Sequence, residues 1–156
     1  AQEMSNRRNR GRIVWLLASS RPDLIEVDLK RPGRVDVKIP ILPTATAGES
    51  FKLLQALAMR LELRVADEMF PQIESLLPLW LTPGAAEALT LKIYRTVHAG
   101  GEPLDQALLG ALTTYQPPVA REVLEFQIGL AVAESSDASF VPEAFRKVGQ
   151  GSGLRA

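Results

Sequence analysis

The hydrophobic period of this chain changes once, close to Ala47, and that change limits the folds open to it. Before it, apolar residues come in strand-like patterns. Ile13-Val14-Trp15-Leu16-Leu17-Ala18 is a continuous apolar run, too short for a helix and typical of a strand buried on both faces of a parallel sheet. Val35, Val37, Ile39 and Ile41 then alternate with Asp36, Lys38 and Pro40, which predicts a second strand over 35–41. Pro40 has no amide to donate, so this strand should end there or lie at an edge. Two strands do not make a stable sheet by themselves. Partner strands are therefore expected upstream of Ala1 or from another chain, and the sequence reads as a fragment.

From Ala47 onward the period is helical. Phe51, Leu54, Ala58, Leu61 and Val65 fall on one stripe, with Glu49 and Ser50 in the first turn. A second helix is predicted over 67–77, carrying Met69, Phe70, Ile73 and Leu76, with Pro71 in its first turn where a missing amide is harmless. Thr82-Pro83-Gly84 reads as an N-cap followed by proline. The next stripe, Ala86, Leu89, Ile93 and Val97, runs until Gly100-Gly101. Leu104, Leu108, Ala111 and Tyr115 mark a helix over 103–115. Pro117-Pro118 ends it and opens another with Val119, Val123, Phe126 and Leu130 on one face. A short helix over 142–148 precedes a glycine-bearing tail. The predicted class is mostly α with a small α/β part. Residues 1–46 would hold two parallel strands of an α/β core, 47–148 a helical lobe and 149–156 a flexible tail, with 42–48 as linker. No internal repeat is visible.

At 156 residues and 46% apolar content, there is enough chain to bury a core. The absence of cysteine excludes disulfides and cysteine-based zinc sites and fits a reducing, cytoplasmic setting. Apolar runs such as 13–18 and 76–81 are far below the ~20 residues of a membrane helix, so no membrane partner is expected, and no signal peptide is read at the N-terminus. Formal charge is zero but unevenly spread, net +4 over residues 1–38 and −4 over the rest. Such asymmetry suits contact with nucleic acid or with a neighbouring subunit's phosphates. The basic run Arg7, Arg8, Arg10, Arg12 has no interleaved aromatic, so a solvated helix end is expected there and nucleic acid is not the expected partner.

Arg31-Pro32-Gly33-Arg34, downstream of the turn Ser19-Ser20-Arg21-Pro22-Asp23-Leu24, is the motif that carries chemistry. A guanidinium is planar, permanently charged and matched to phosphate oxygens, and one supplied from outside a nucleotide site accelerates phosphoryl transfer roughly 10³- to 10⁵-fold. The rest of such a site is missing. No glycine precedes a lysine, so there is no phosphate-cradling loop. The one paired-acid candidate, Asp67-Glu68, follows residues 61–66 that read as helix instead of buried strand, and it is read as a solvated helix end.

The order of apolar strand, Ala-Ser-Ser-Arg-Pro-Asp-Leu-Ile, five residues, Arg-Pro-Gly-Arg-Val-Asp, strand and helical lobe resembles the second half of an AAA+ ATPase module, a P-loop NTPase core followed by a helical lid. The resemblance covers nearly the whole chain, with its sharp motifs between Ile13 and Ile41. It implies that Ser20 occupies the first-sensor position, that Arg31 and Arg34 are the arginine-finger positions, and that Thr82-Pro83-Gly84-Ala85-Ala86-Glu87 is the lid turn beside the adenine. Gly84 and Ala85 would then be the cofactor-binding residues. Ser20 stands where the family has asparagine, Val35 where it has phenylalanine and Val37 where arginine is common. No second-sensor arginine precedes the lid turn, and Arg95 lies later on that helix. The resemblance further implies ATP and magnesium in the intact parent protein, none bound to this chain alone, which would be inactive by itself. It also implies a homo-oligomeric ring acting on an unknown protein substrate, and a core-to-lid hinge at 42–48.

The alternative is a helical protein-interaction module with a vestigial ATPase segment. Among the remaining residues, His98 near a helix C-terminus reads as structural, Arg21 and Asp23 as holding their turn, Trp15 and Trp80 as packing residues, and Glu122, Glu125 and Glu134 as a solvated surface with no metal cluster.

Overall fold

The computed structural model describes residues 2–9 and 11–148; the tail expected over 149–156 and Arg10 of the basic run lie outside the described residues. Helices dominate, and four of those among the described residues reach ten residues or more: α1 (Ala47–Arg60), α2 (Pro83–Gly100), α3 (Leu104–Thr113) and α4 (Arg121–Ala133). The chain divides into two compact units. One joins the residues up to Leu42 with those from Arg121 onward, and the other is Pro43–Ala120. This partition runs differently from the expected 1–46 and 47–148, because α4 and the residues after it belong with the N-terminal segment.

In the Pro43–Ala120 unit, local signals set the helix ends. Thr46 caps α1 by accepting from the Glu49 amide at 3.2 Å, while the Glu49 carboxylate accepts from Ala45 at 2.6 Å. Thr82 caps α2 in the same way through the Ala85 amide, Pro83 opens the helix, and Gly101 closes it with φ 70, the left-handed conformation that glycine adopts at least cost. Phe51, Leu54, Ala58, Leu81, Ala86, Leu89, Ile93, Leu108 and Ala111 form the core, with Tyr115 and Val97 packed at its edge. α1 ends at Arg60 and residues 61–66 are not helical, so Val65 reaches the core from a loop, as does Leu63, while Leu61 is only partly buried. The helix expected over 67–77 is broken into a 3-10 turn (Asp67–Met69), one α-turn (Phe70–Ile73) and a second 3-10 turn (Glu74–Leu76). Pro71 in that single α-turn cannot donate an amide, which limits regular propagation.

A buried polar node fastens the start of this unit. The Thr44 and Ser50 hydroxyls are 2.7 Å apart; Ser50 donates to the Pro78 carbonyl at 2.6 Å, and Thr44 Oγ1 accepts from the Leu81 amide at 2.9 Å. The Thr44 main chain adds a bond to Leu81 and another from Trp80, which itself sits at φ 59. Thr44 lies inside the segment 42–48 expected as a linker.

In the other unit, the two expected strands are not observed, and no strand occurs among the described residues. A strand is completed by a neighbour's hydrogen bonds, and among the described residues, 13–18 make no main-chain bond to a distant segment. Val14 and Leu16 are 96% exposed, and Trp15, expected to pack, is 44% exposed. Of 35–41, only Lys38 makes a long-range main-chain bond, accepting from the Ser136 amide at 3.2 Å. The core of this unit is built from Ile128, Leu130, Val141 and Phe145, with α4 packed against the Pro22–Leu24 turn and the short helix Glu143–Arg146. On α4, Leu130 of the expected face is buried beside Ile128, whereas Val123 and Phe126 remain 49% and 43% exposed. No described helix is long and apolar enough to cross a membrane.

Candidate functional site

Three successive turns build the arginine segment. Ser19 Oγ accepts from the Arg21 amide, and the Arg21 guanidinium grips Asp23 with two parallel bonds of 2.9 and 2.7 Å, starting the 3-10 turn Pro22–Leu24. Arg21 and Asp23 thus hold this turn. The carboxyl of Asp23 lies below its usual range chiefly because of the Arg21 hydrogen bond. A second turn follows, with the Leu29 amide bonded to Glu26 and the Lys30 amide to Val27. The third is Arg31-Pro32-Gly33-Arg34, closed by the Arg34 amide on the Arg31 carbonyl at 3.2 Å. Gly33 has φ 84, which a side chain would oppose, and its amide donates to the Asp36 carboxylate.

Asp28 brings the two arginines together. Its Oδ1 lies 3.5 Å from Arg31 Nη1, its Oδ2 accepts from Arg34 Nη1, and its carbonyl accepts from the same Arg34 nitrogen at 2.8 Å. The hydrogen bond from Arg34 holds the Asp28 carboxyl below the usual carboxylate range. The two guanidiniums are unequal in exposure: the Arg31 side chain is 71% exposed and that of Arg34 23%. Arg34 is folded back on its own turn while Arg31 reaches into solvent. An oxyanion arriving at this turn would meet Arg31 first and compete with Asp28 for both.

Ser20, the sensor candidate, is exposed, and the side chain that shapes its turn is Ser19. Gly84 and Ala85 belong to the other unit, in the first turn of α2. Gly84 is exposed with open space around it, and the Ala85 amide is taken by the Thr82 hydroxyl at 3.3 Å. Ala85 lines an open groove of ≈ 350 Å³ between α2 and the end of α3, with Leu89, Lys92, Ala111, Thr114 and Tyr115. Lys92 donates to Thr114 there at 2.8 Å, and burial pushes the Tyr115 hydroxyl pKa up.

His98 stacks on Tyr94 at 4.0 Å and donates from Nδ1 to the Tyr94 carbonyl. Asp67 accepts from Gln55, and neither Asp67 nor Glu68 follows a strand. Among the described residues no cluster of acids or histidine could hold a metal ion.

Sequence reasoning missed Asp28 and Glu134. Asp28 is legible in retrospect, an acid three residues before one arginine and six before the other. Glu134 was read as solvated surface, but its side chain is 28% exposed and takes Lys30 on one oxygen at 2.6 Å and Lys38 on the other at 3.5 Å. No local pattern announces a contact across about a hundred residues.

Comparison of the chain with protein-family models, with curated proteins and with solved structures returned no match.

Proposed function

We propose that this chain is the C-terminal portion of an AAA+ ATPase subunit, in which Arg31 and Arg34 act in trans on the nucleotide of a neighbouring copy. Ser20 would serve as first sensor and the Pro43–Ala120 unit as lid. The observation that carries this reading is the pairing of both arginines on one carboxylate at a Pro-Gly turn, with Arg31 turned out to solvent. Charge of this kind stabilises the transferring phosphoryl group only when it is delivered by a fixed scaffold, and Asp28 supplies the fixing contact. The exposed run 13–17 supports the reading as well, since strands of a larger sheet would cover it.

The phosphate loop and the magnesium-binding acids would lie in parts of the parent protein outside these 156 residues. The intact protein would be a homo-oligomeric ATP hydrolase of the cytoplasm, and its substrate a protein.

The test is ATP turnover by the intact protein carrying Arg34→Ala or Arg31→Ala. A loss of about 10³-fold or more, with nucleotide binding and assembly retained, is expected. Unchanged turnover in both variants would discard the finger assignment and favour the interaction-module reading. Calorimetry of this chain alone should show no micromolar affinity for magnesium-ATP.

A further inference from the structure

The arginine turn is itself part of no strand or helix, yet both of its flanks are tied to one short stretch of chain. Lys30 immediately precedes Arg31, and its ammonium lies 2.6 Å from Glu134 Oε1. Lys38 follows Arg34 by four residues, and its ammonium lies 3.5 Å from Glu134 Oε2. The same stretch adds main-chain ties: the Lys38 amide donates to Ser136 Oγ at 3.0 Å, and the Ser136 amide to the Lys38 carbonyl at 3.2 Å. All three charged side chains are well shielded, at 18, 31 and 28% exposure for Lys30, Lys38 and Glu134, so solvent screens them less than it would an open surface pair. One carboxylate at the end of α4 thus closes the segment 30–38 into a loop with Arg31, Gly33 and Arg34 at its centre.

We propose that Glu134 is a positioning residue for the arginine turn, acting through Lys30 and Lys38 and making the end of α4 the support on which Arg31 and Arg34 are presented. This rests on the finger reading of the preceding subsection. Without the carboxylate, two neighbouring ammonium groups lose their shared counter-charge and repel, and the loop loses its fixed ends. Misplacement of a charge-stabilising group by about 1 Å lowers turnover on the order of 10²-fold while ground-state binding persists. The effect should therefore fall on kcat, with KM for ATP little changed.

The experiment measures steady-state ATP turnover of the intact protein as wild type, Glu134→Gln, Lys30→Met, Arg31→Ala/Arg34→Ala, and that double variant combined with Glu134→Gln. The expected result is a roughly 10- to 100-fold fall in kcat for Glu134→Gln, a fall in the same direction for Lys30→Met, unchanged KM and retained assembly. In the arginine-free background, Glu134→Gln should cause no further fall. Wild-type turnover in both Glu134→Gln and Lys30→Met, a loss traced to nucleotide binding, or a full additional loss in the arginine-free background would each overturn the proposal. If Glu134→Gln fails to assemble, Lys30→Met decides by the same criteria. Failure of the finger reading is separately visible: Arg31→Ala/Arg34→Ala then turns over ATP normally, and the role of Glu134 falls with it. A defect in the arginine variant alone leaves the finger reading standing and removes only Glu134.

Discussion

Arg34 donates through one nitrogen to both the carboxylate and the carbonyl of Asp28, six residues upstream, while the other carboxylate oxygen of Asp28 faces Arg31. The turn is therefore a sensitive point for charge changes. Asp28→Asn keeps the carbonyl contact and removes the anion. In the finger reading, ATP turnover by the intact protein should drop in this variant, by less than in Arg34→Ala, because the guanidinium survives and loses only its orientation.

The same pair has a pH signature. The folded state holds the Asp28 carboxyl below its ordinary value, principally through the Arg34 bond. Its contribution to stability is fully present above the unfolded carboxylate pKa, about 4, and is lost as pH falls through the lower folded value. The difference in urea midpoint between wild type and Asp28→Asn should thus be constant from neutral pH to about pH 5 and vanish in stronger acid. A difference that instead grows with acidification would contradict the assigned pairing.

Thr44 and Ser50 share a buried hydroxyl pair whose remaining capacity is spent on Pro78 and Leu81. Thr44→Val leaves the Leu81 amide without that acceptor and Ser50→Ala leaves the Pro78 carbonyl without that donor. Each should destabilise by about 1–3 kcal/mol in chemical denaturation. A cost within experimental error in both would mean the node does not fasten this unit.

Leu81 is 0% exposed, while Leu16 is 96% exposed. Leu81→Ala should cost about 2–5 kcal/mol, because it removes packed methyl groups and leaves a cavity. Leu16→Ser in this chain should change stability by no more than about 0.5 kcal/mol. In the intact protein the same Leu16→Ser should destabilise strongly if 13–17 is a covered strand there, and thermal unfolding of both forms separates the two cases.

Gly101 ends α2 at φ 70 with open space around it. Gly101→Ala should cost about 1 kcal/mol through backbone strain alone, with no steric clash, measured as a shift in the urea midpoint.

The helical part was legible because its determinants are local. Thr82 is a cap within three residues of the amide it serves, Pro83 and Gly101 are conformational choices of single residues, and Phe51, Leu54, Leu89 and Ile93 repeat at the helical period. The arginine turn was legible too, since Arg31, Gly33 and Arg34 are neighbours in sequence. The broken helix at 67–76 and the end of α1 at Arg60 escaped, because an apolar stripe continues past a helix end when loop residues such as Val65 also pack on the core.

Strand status was beyond local reading for a different reason. Residues 13–18 and 35–41 carry strand patterns, but a strand exists only when another segment accepts its hydrogen bonds, and that is a property of the assembled chain. Glu134 was hidden in the same way. Its type and neighbours are those of a surface acid, and only folding brings it to Lys30 and Lys38. Residue identity and spacing decided the caps, the helical stripes and the arginine pair, which depend on short-range geometry. The tertiary structure alone decided which apolar runs find partners and which acid supports the arginine turn, because both require groups far apart in sequence to share one place.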